Sequence, residues 1–234
     1  FPEHVLFNGH FKEGLFHIDK FSKTKNKKLF IKKNNNKINN DLVQNPSTCF
    51  HFFKKRGNQN ISKNEIVTAI SKCGRFESKN HKEITRLREF FLREFIFIGS
   101  KNFVDDTRFK TLDVFKQLIS NFEIPGIMQS ANDPFFTQSH NLKSSYQKKL
   151  KMKYEFKANI QNREFAIFSS NYHGLNFSKN FKIKRNNKFI HSGCIGFGLE
   201  RFAYAFFGQH GYDNTTWPKK INKSYLRWKN NSFS

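Results

Sequence analysis

The pattern of apolar and polar positions sharpens from about Cys49. From there the pattern predicts a strand over Ile66–Phe76, a polar loop over Glu77–Glu83, and a second strand over Phe90–Ile98 closed by Gly99. The two strands would form an antiparallel hairpin with a long loop. A helix is expected from about Asn102 to Asn121, with Asn102 as its cap and Asp105 three residues on. Leu112, Phe115, Ile119 and Phe122 recur at spacings of three and four, which puts them on one helical face. Three further apolar stretches follow: Met152–Ile160, Glu164–Ser170 and Phe189–Phe197. Arg185-Asn186-Asn187-Lys188 reads as a hairpin turn before the last of these, and a short helix over Leu199–Phe207 ends before Gly211. Strands linked mostly as hairpins, with helices on one side, predict an α+β fold built on an antiparallel sheet. Residues 1–48 give few structural signals. Lys20 to Asn45 is dense in Lys and Asn, which suits a solvated surface segment or a nucleic-acid arm. The division expected is a poorly defined segment 1–48 followed by one folded unit over 49–234, with no repeat, second domain or heptad pattern.

A length of 234 residues allows one large domain or two small ones. Lys and Arg number 42 against 18 Asp and Glu, a net charge of +24. However, Phe, Lys and Asn alone make up 90 of the residues. All three are spelled by A- and T-rich codons, so the charge is weaker evidence for nucleic-acid binding than its size suggests. The 37% hydrophobic and 17% aromatic content argues against a disordered chain. No apolar run reaches the roughly 18 residues of a membrane span. Three cysteines cannot make a disulfide framework, so a reducing compartment, the cytoplasm, is expected. The sequence opens on Phe1 and not on Met; what is visible contains no signal peptide.

Two segments carry candidate chemistry. In Ser192-Gly193-Cys194-Ile195-Gly196-Phe197-Gly198-Leu199-Glu200-Arg201, glycines alternate with apolar residues at a strand end, and a helix opens near Arg201. Alternate glycines strip side chains from one strand face, so a flat ligand can lie on the backbone. Arg201 would stand over that face, placed to stack on a base and neutralise phosphate. A glycine-loosened strand beside a surface arginine is the plainer alternative. In the second segment, Lys72-Cys73-Gly74-Arg75-Phe76-Glu77 precedes the loop, and Arg86-Leu87-Arg88-Glu89-Phe90 through Ile96 follows it. Arg75 and Glu77, two apart, share a strand face. One can hold a phosphate and the other can accept an amino hydrogen from a base, while Phe90 offers a stacking surface. Paired surface charges on a hairpin would explain the same pattern.

Together these segments resemble motifs 2 and 3 of the class II aminoacyl-tRNA synthetases. Arg75-Phe76-Glu77 matches the first, and Gly196, Gly198, Glu200 and Arg201 match the second. Asn132-Asp133-Pro134-Phe135-Phe136, Ser170-Asn171-Tyr172-His173, His191-Ser192-Gly193-Cys194, His210-Gly211-Tyr212-Asp213 and Trp217-Pro218 narrow the resemblance. They are similar to the amino acid:[carrier protein] ligases, relatives of the catalytic domain of atypical seryl-tRNA synthetases. The resemblance runs from about Cys49 to Pro218. It implies an antiparallel sheet flanked by helices, usually in a homodimer, without a tRNA-binding domain.

The resemblance also implies a set of roles. Zinc would be held by Cys49, Glu94 and Cys194, and would grip the substrate's amino group; two thiolates and a carboxylate suit that metal. Taken without the motifs, Cys49 and Cys194 would read as ordinary buried thiols. Cys73 looks structural. Arg75 and Arg201 would be catalytic. ATP would be bound by Arg75, Glu77, Arg86, Leu87, Phe90, Glu155 and Arg201, with magnesium near Glu155 and Glu164 a weaker candidate there. Glu94 and Asn171 would contact the amino acid, and His173 would be either a substrate or carrier contact or a structural residue. The sequence departs from the family pattern at Gly74, Phe97, Thr137 and Ser178, and shows no clear dimerisation motif near its N-terminus. The activity implied is ATP-dependent activation of a small amino acid and its transfer to a phosphopantetheinylated carrier protein. The alternatives are a seryl-tRNA synthetase catalytic domain and a non-catalytic nucleotide- or RNA-binding module.

Overall fold

The hairpin between the two motif-bearing strands organises the sheet. The computed structural model describes residues 44–75, 83–131 and 152–232; Phe76, Glu77 and the Asn132–Thr137 run lie outside them. Strands β1 (Glu65–Gly74) and β2 (Glu89–Gly99) pair antiparallel, in register from Glu65 opposite Ile98 to Gly74 opposite Glu89. Strand β1 therefore starts one residue earlier than the pattern predicts. The chain before it is drawn onto its far end, where the Gly74 amide donates to the Asn45 carbonyl at 2.9 Å. A Cβ at Gly74 would overlap the Gln44 side chain, which explains a glycine there.

Helix α2 (Lys101–Asn121) buries Val104, Leu112, Phe115 and Ile119, the face expected from its spacing. Its cap lies two residues before the expected one. Ser100, not Asn102, has extended backbone, and its Oγ accepts from the Phe103 amide at 3.3 Å. Gly99 ends β2, so the helix begins as soon as the strand stops and Asn102 falls inside the first turn.

Four more strands complete the sheet: β3 (Gly126–Ser130), β4 (Lys153–Ile160), β5 (Arg163–Gly174) and β8 (His191–Gly198). The order across it is β1-β2-β8-β5-β4-β3, and every neighbouring pair is antiparallel. Strand β5 runs on past Ser170 to Gly174, and this extension carries Asn171 and His173. The small hairpin of β6 (Lys184–Arg185) and β7 (Lys188–Phe189) turns through Asn186 and Asn187, with φ of 48° and 59°, as its sequence predicts.

Helices lie on both faces, not one. Helices α2 and α4 (Leu199–His210) cover one face through a large aromatic core that includes Phe97, Phe115, Phe168, Phe197 and Phe206. Helix α4 extends three residues beyond Phe207 and stops at Gly211, whose φ of 74° favours glycine. On the opposite face α1 (Cys49–Arg56) and α3 (Asn176–Asn180) cover a smaller core of Phe53, Ile96, Ile98, Phe177 and Ile183. Helix α1 has no apolar period to betray it, because four of its eight residues are Cys or Phe. Its basic last turn, Lys54-Lys55-Arg56, suits the negative end of a helix. Helix α5 (Lys219–Ser232) closes the described chain and buries none of its residues. Among the described residues no helix is long and apolar enough to cross a membrane.

Two departures noted in the sequence are absorbed by this packing. Phe97 is fully buried in the aromatic core, and Ser178 is buried with its hydroxyl donating to the Leu175 carbonyl at 3.1 Å.

Candidate active site

Strand period puts Glu94 of β2 and Cys194, Gly196 and Gly198 of β8 on the same sheet face. Register brings them together, with Glu94 opposite Gly196 and Asn171 opposite Cys194. Helix α1 begins over this spot and delivers Cys49. One ligand atom each from Cys49, Glu94 and Cys194 lies within 4.8 Å of the others, and all three residues are buried. Glu94 is tied on every side: it accepts from the Cys49 amide, from Ser47 Oγ at 3.0 Å and from Cys194 Sγ at 3.4 Å.

The electrostatics of this cluster are those of crowded acids. Burial pushes the Glu94 carboxyl above its ordinary range, against the hydrogen bonds that favour its charge. The Cys194 thiol is raised well above normal by its hydrogen bond with Cys49, by burial and by the Glu94 charge. The bond with Cys194 pulls the Cys49 thiol down, but burial and Glu94 outweigh it and the net shift is upward. Burial thus raises all three groups, and the Glu94 charge repels charge on both sulfurs. A divalent cation would turn that mutual repulsion into attraction, and two sulfurs with one carboxylate oxygen are a donor set that fits zinc with one position to spare. Cys73 stands apart from the cluster, buried, with its sulfur near Ser71 Oγ and Thr48 Oγ1.

From this cluster a cleft of about 1180 Å³ runs across the sheet. Its floor is bare where the glycines alternate. A Cβ at Gly198 would come no closer than 3.9 Å to anything, and one at Gly196 would sit 3.3 Å from Glu94 Oε1. Gly193 faces the other way, where a Cβ would collide with the Phe97 ring. The candidates Arg75, Arg86, Leu87, Phe90, Glu155, Glu164, Asn171 and Arg201 all line this one cleft; Glu77 lies outside the described residues.

Arg201, in the first turn of α4, donates to the Ala166 carbonyl at 3.1 Å. Arg75 donates from Nε to the Pro46 carbonyl at 2.8 Å, and its guanidinium stands 5.0 Å over the Phe90 ring. Without a base in the cleft, the group resting on Phe90 is Arg75. Glu155, the carboxylate expected near magnesium, is paired with Lys153 at 2.9 Å. Asn171 Nδ2 donates to Ser169 Oγ at 3.1 Å and reaches Cys194 Sγ at 3.7 Å.

Two further residues serve the site. Ser47 bonds Glu94 from a stretch with no motif, which left no signal to find it by. Glu200 accepts from the Phe91 amide with both oxygens, at 2.8 and 3.0 Å, and so fastens α4 to the start of β2. The motif contained Glu200 but not this task.

Comparison with known proteins bears on this arrangement. No family model matches the chain. The chain is 29% identical over 186 residues to amino acid–[acyl-carrier-protein] ligase 1 of Bradyrhizobium diazoefficiens, covering 77% of this chain and 56% of that protein. It is 30% identical over 184 residues to ligase 2 of the same organism, covering 76% and 54%. To the type-2 serine–tRNA ligase of Methanococcus aeolicus it is 26% identical over 197 residues, covering 77% and 38%. This chain is homologous to both groups. It spans about half the length of the two carrier-protein ligases it matches and less of the tRNA ligase. Among solved structures, the SerRS of M. kandleri in complex with A. aeolicus tRNASec superposes with a TM-score of 0.73 at 18% identity, covering 95% of this chain and 46% of that one. The seryl-tRNA synthetase of Pyrococcus horikoshii complexed with ATP gives 0.61 at 15%, covering 83% and 44%. The homologue's fold is thus the six-stranded antiparallel sheet of the class II synthetase catalytic domain, as its motifs implied.

Proposed function

We propose that this chain is a ligase that activates a small amino acid of the Gly, Ala or Ser class with ATP and passes it to the phosphopantetheine thiol of a carrier protein. The observation that carries this reading is the single cleft whose bare glycine floor joins the Cys49–Glu94–Cys194 cluster to Arg75, Phe90 and Arg201. In the first step an oxygen of the amino acid carboxylate attacks the α-phosphorus of ATP. The bond to the bridging oxygen breaks and pyrophosphate leaves. In the second step the thiol sulfur attacks the acyl carbon and AMP leaves.

The chain's residues divide this work. Arg201 holds the negative charge that grows on the α-phosphate, the kind of preorganised contact that contributes most in such sites. Phe90 receives adenine while Arg75 leaves its ring for a phosphate, with Arg86 adding a second contact. The backbone beside Leu87 lies along the base, and Glu77 would read its amino edge. Asn171 and Glu94 orient the amino acid, so its carboxylate meets the phosphorus in line. Bound by Cys49, Glu94 and Cys194, zinc would supply a Lewis-acid anchor for the substrate's amino group. Magnesium would accompany the phosphates beside Glu155. Ile66 and Ile70 on edge strand β1, with Phe91 beside them, are exposed apolar residues that a second copy would cover in a homodimer.

A second reading changes only the acceptor. The tRNA ligases among the relatives, with both solved structures being seryl-tRNA synthetases, favour serine transfer to tRNA. ATP–pyrophosphate exchange over Gly, Ala and Ser, with and without zinc, tests the activation. Labelled amino acid is expected on a holo carrier protein, none on its apo form and none on tRNA. Charging of tRNA with no transfer to any holo carrier would overturn the first reading in favour of the second.

A further inference from the structure

We infer that His173 is a positioning residue for Cys194, donating an Nε2–H hydrogen bond to its sulfur in a tautomer set by Ser192. His173 Nε2 lies 3.4 Å from Cys194 Sγ, and His173 Nδ1 lies 3.2 Å from Ser192 Oγ. Both partners sit on β8, two residues apart and buried, so strand geometry alone holds them on one side of the ring. Aromatic neighbours fix the ring plane: Phe177 meets it edge-on at 4.7 Å and Phe53 at 5.9 Å.

Proton accounting then gives the direction of both bonds. The single S–H of Cys194 is directed at Glu94 Oε1, and as a metal-bound thiolate Cys194 has no proton at all. In either case the proton between sulfur and imidazole belongs to Nε2. A neutral imidazole with Nε2–H has a bare Nδ1, which accepts from the Ser192 hydroxyl. The amide of Asn171 approaches the same sulfur at 3.7 Å. Cys194 thus faces two N–H donors, whereas the Cys49 sulfur donates to Ser47 Oγ at 3.6 Å. Donors aimed at a ligating sulfur draw charge from it and fix its direction, the role of partners behind a metal's own ligands. His173 lines the same cleft but lies outside the three-residue set whose ligand atoms are all mutually close, so it touches the cluster through Cys194 and is not one of the three.

This inference rests on the zinc reading above, and the test separates the two. Zinc and cobalt(II) affinities are measured by chelator competition, and the cobalt-loaded protein is examined by absorption spectroscopy. His173→Asn keeps an amide able to reach Ser192 but loses the donor to sulfur. It is expected to lower metal affinity by about ten- to a hundredfold and to move the thiolate-to-cobalt charge-transfer band to longer wavelength. His173→Gln places an N–H near the Nε2 position and is expected to restore both readouts toward wild type. Ser192→Ala should shift them in the same direction as His173→Asn, by less. If both His173 variants melt at lower temperature yet bind and absorb as wild type does, His173 only fills space and the inference fails. Wild-type protein that takes up neither metal overturns the zinc reading itself, and this inference with it.

Discussion

The two faces of the central sheet are built on opposite principles. Against α2 and α4 the sheet presents interlocked Phe rings, and the β2 cation on that face, Arg93, is exposed and donates to Thr68 Oγ1 at 3.2 Å. Against α1 it presents Glu94 and Cys194 over a glycine floor, and only part of that face is covered. Both faces come from the same strands. Along β2, Phe95 and Phe97 point into the aromatic core while Glu94 and Ile96 point to the cleft side. Along β8, Ile195 and Phe197 face the core while Cys194, Gly196 and Gly198 face the cleft. One face supplies most of the burial that stabilises the sheet carrying the other. The cleft face can then afford groups that burial penalises.

This comparison is open to experiment, starting with its largest effect. Cys194→Ala should abolish stoichiometric metal binding and amino acid activation, while ATP binding, measured by calorimetry, largely survives. Full activity in a metal-free variant would break the division between the two ends of the cleft. Phe97→Ala acts on the other face. It should lower unfolding free energy by about 3–5 kcal/mol, the range for emptying a buried aromatic site, as read by denaturant titration, with metal still bound in the folded fraction. Arg201→Ala should reduce adenylate formation by at least about a hundredfold, the scale of removing one preorganised donor, with little change in stability. Unchanged pyrophosphate exchange would remove Arg201 from the site. The smallest effect lies at the junction of the faces: Ser100→Ala should cost about 1 kcal/mol through loss of the α2 cap, without altering exchange kinetics.

What could be read from the sequence divides along the same line. The glycine-alternating strand with Arg201, and the β1–β2 hairpin, were legible because a bare floor and a close backbone impose residue types that nothing else requires. The α2 face was legible because one-sided burial leaves a period. Helix α1 was not, since a short element buried among aromatics needs no alternation, and with it went the expectation of helices on one side only. Asn102 and Ser100 are both good caps by composition, and only the place where β2 stops decides between them. Ser47 serves the site by reaching a residue 47 positions away, which local sequence does not encode. The stacking of Arg75 on Phe90 likewise depends on where two strands lie side by side.

Cys49, Glu94 and Cys194 also have a meaning for the chain as a polymer. They lie 45 and 100 residues apart in sequence, so an ion shared among them is a three-way cross-link closing two long loops. Such closures restrict the unfolded chain more as the loops grow, though only slowly with length. The segment from Gln44 to Arg56 is held to the sheet at this point as well as by hydrogen bonds from Gly74 to Asn45, from Arg75 to Pro46 and from Thr48 to Leu92, and by buried Phe53. Metal loading would therefore add to how firmly the first part of the folded unit is attached. A chelator should open that segment to a protease well before the aromatic core yields.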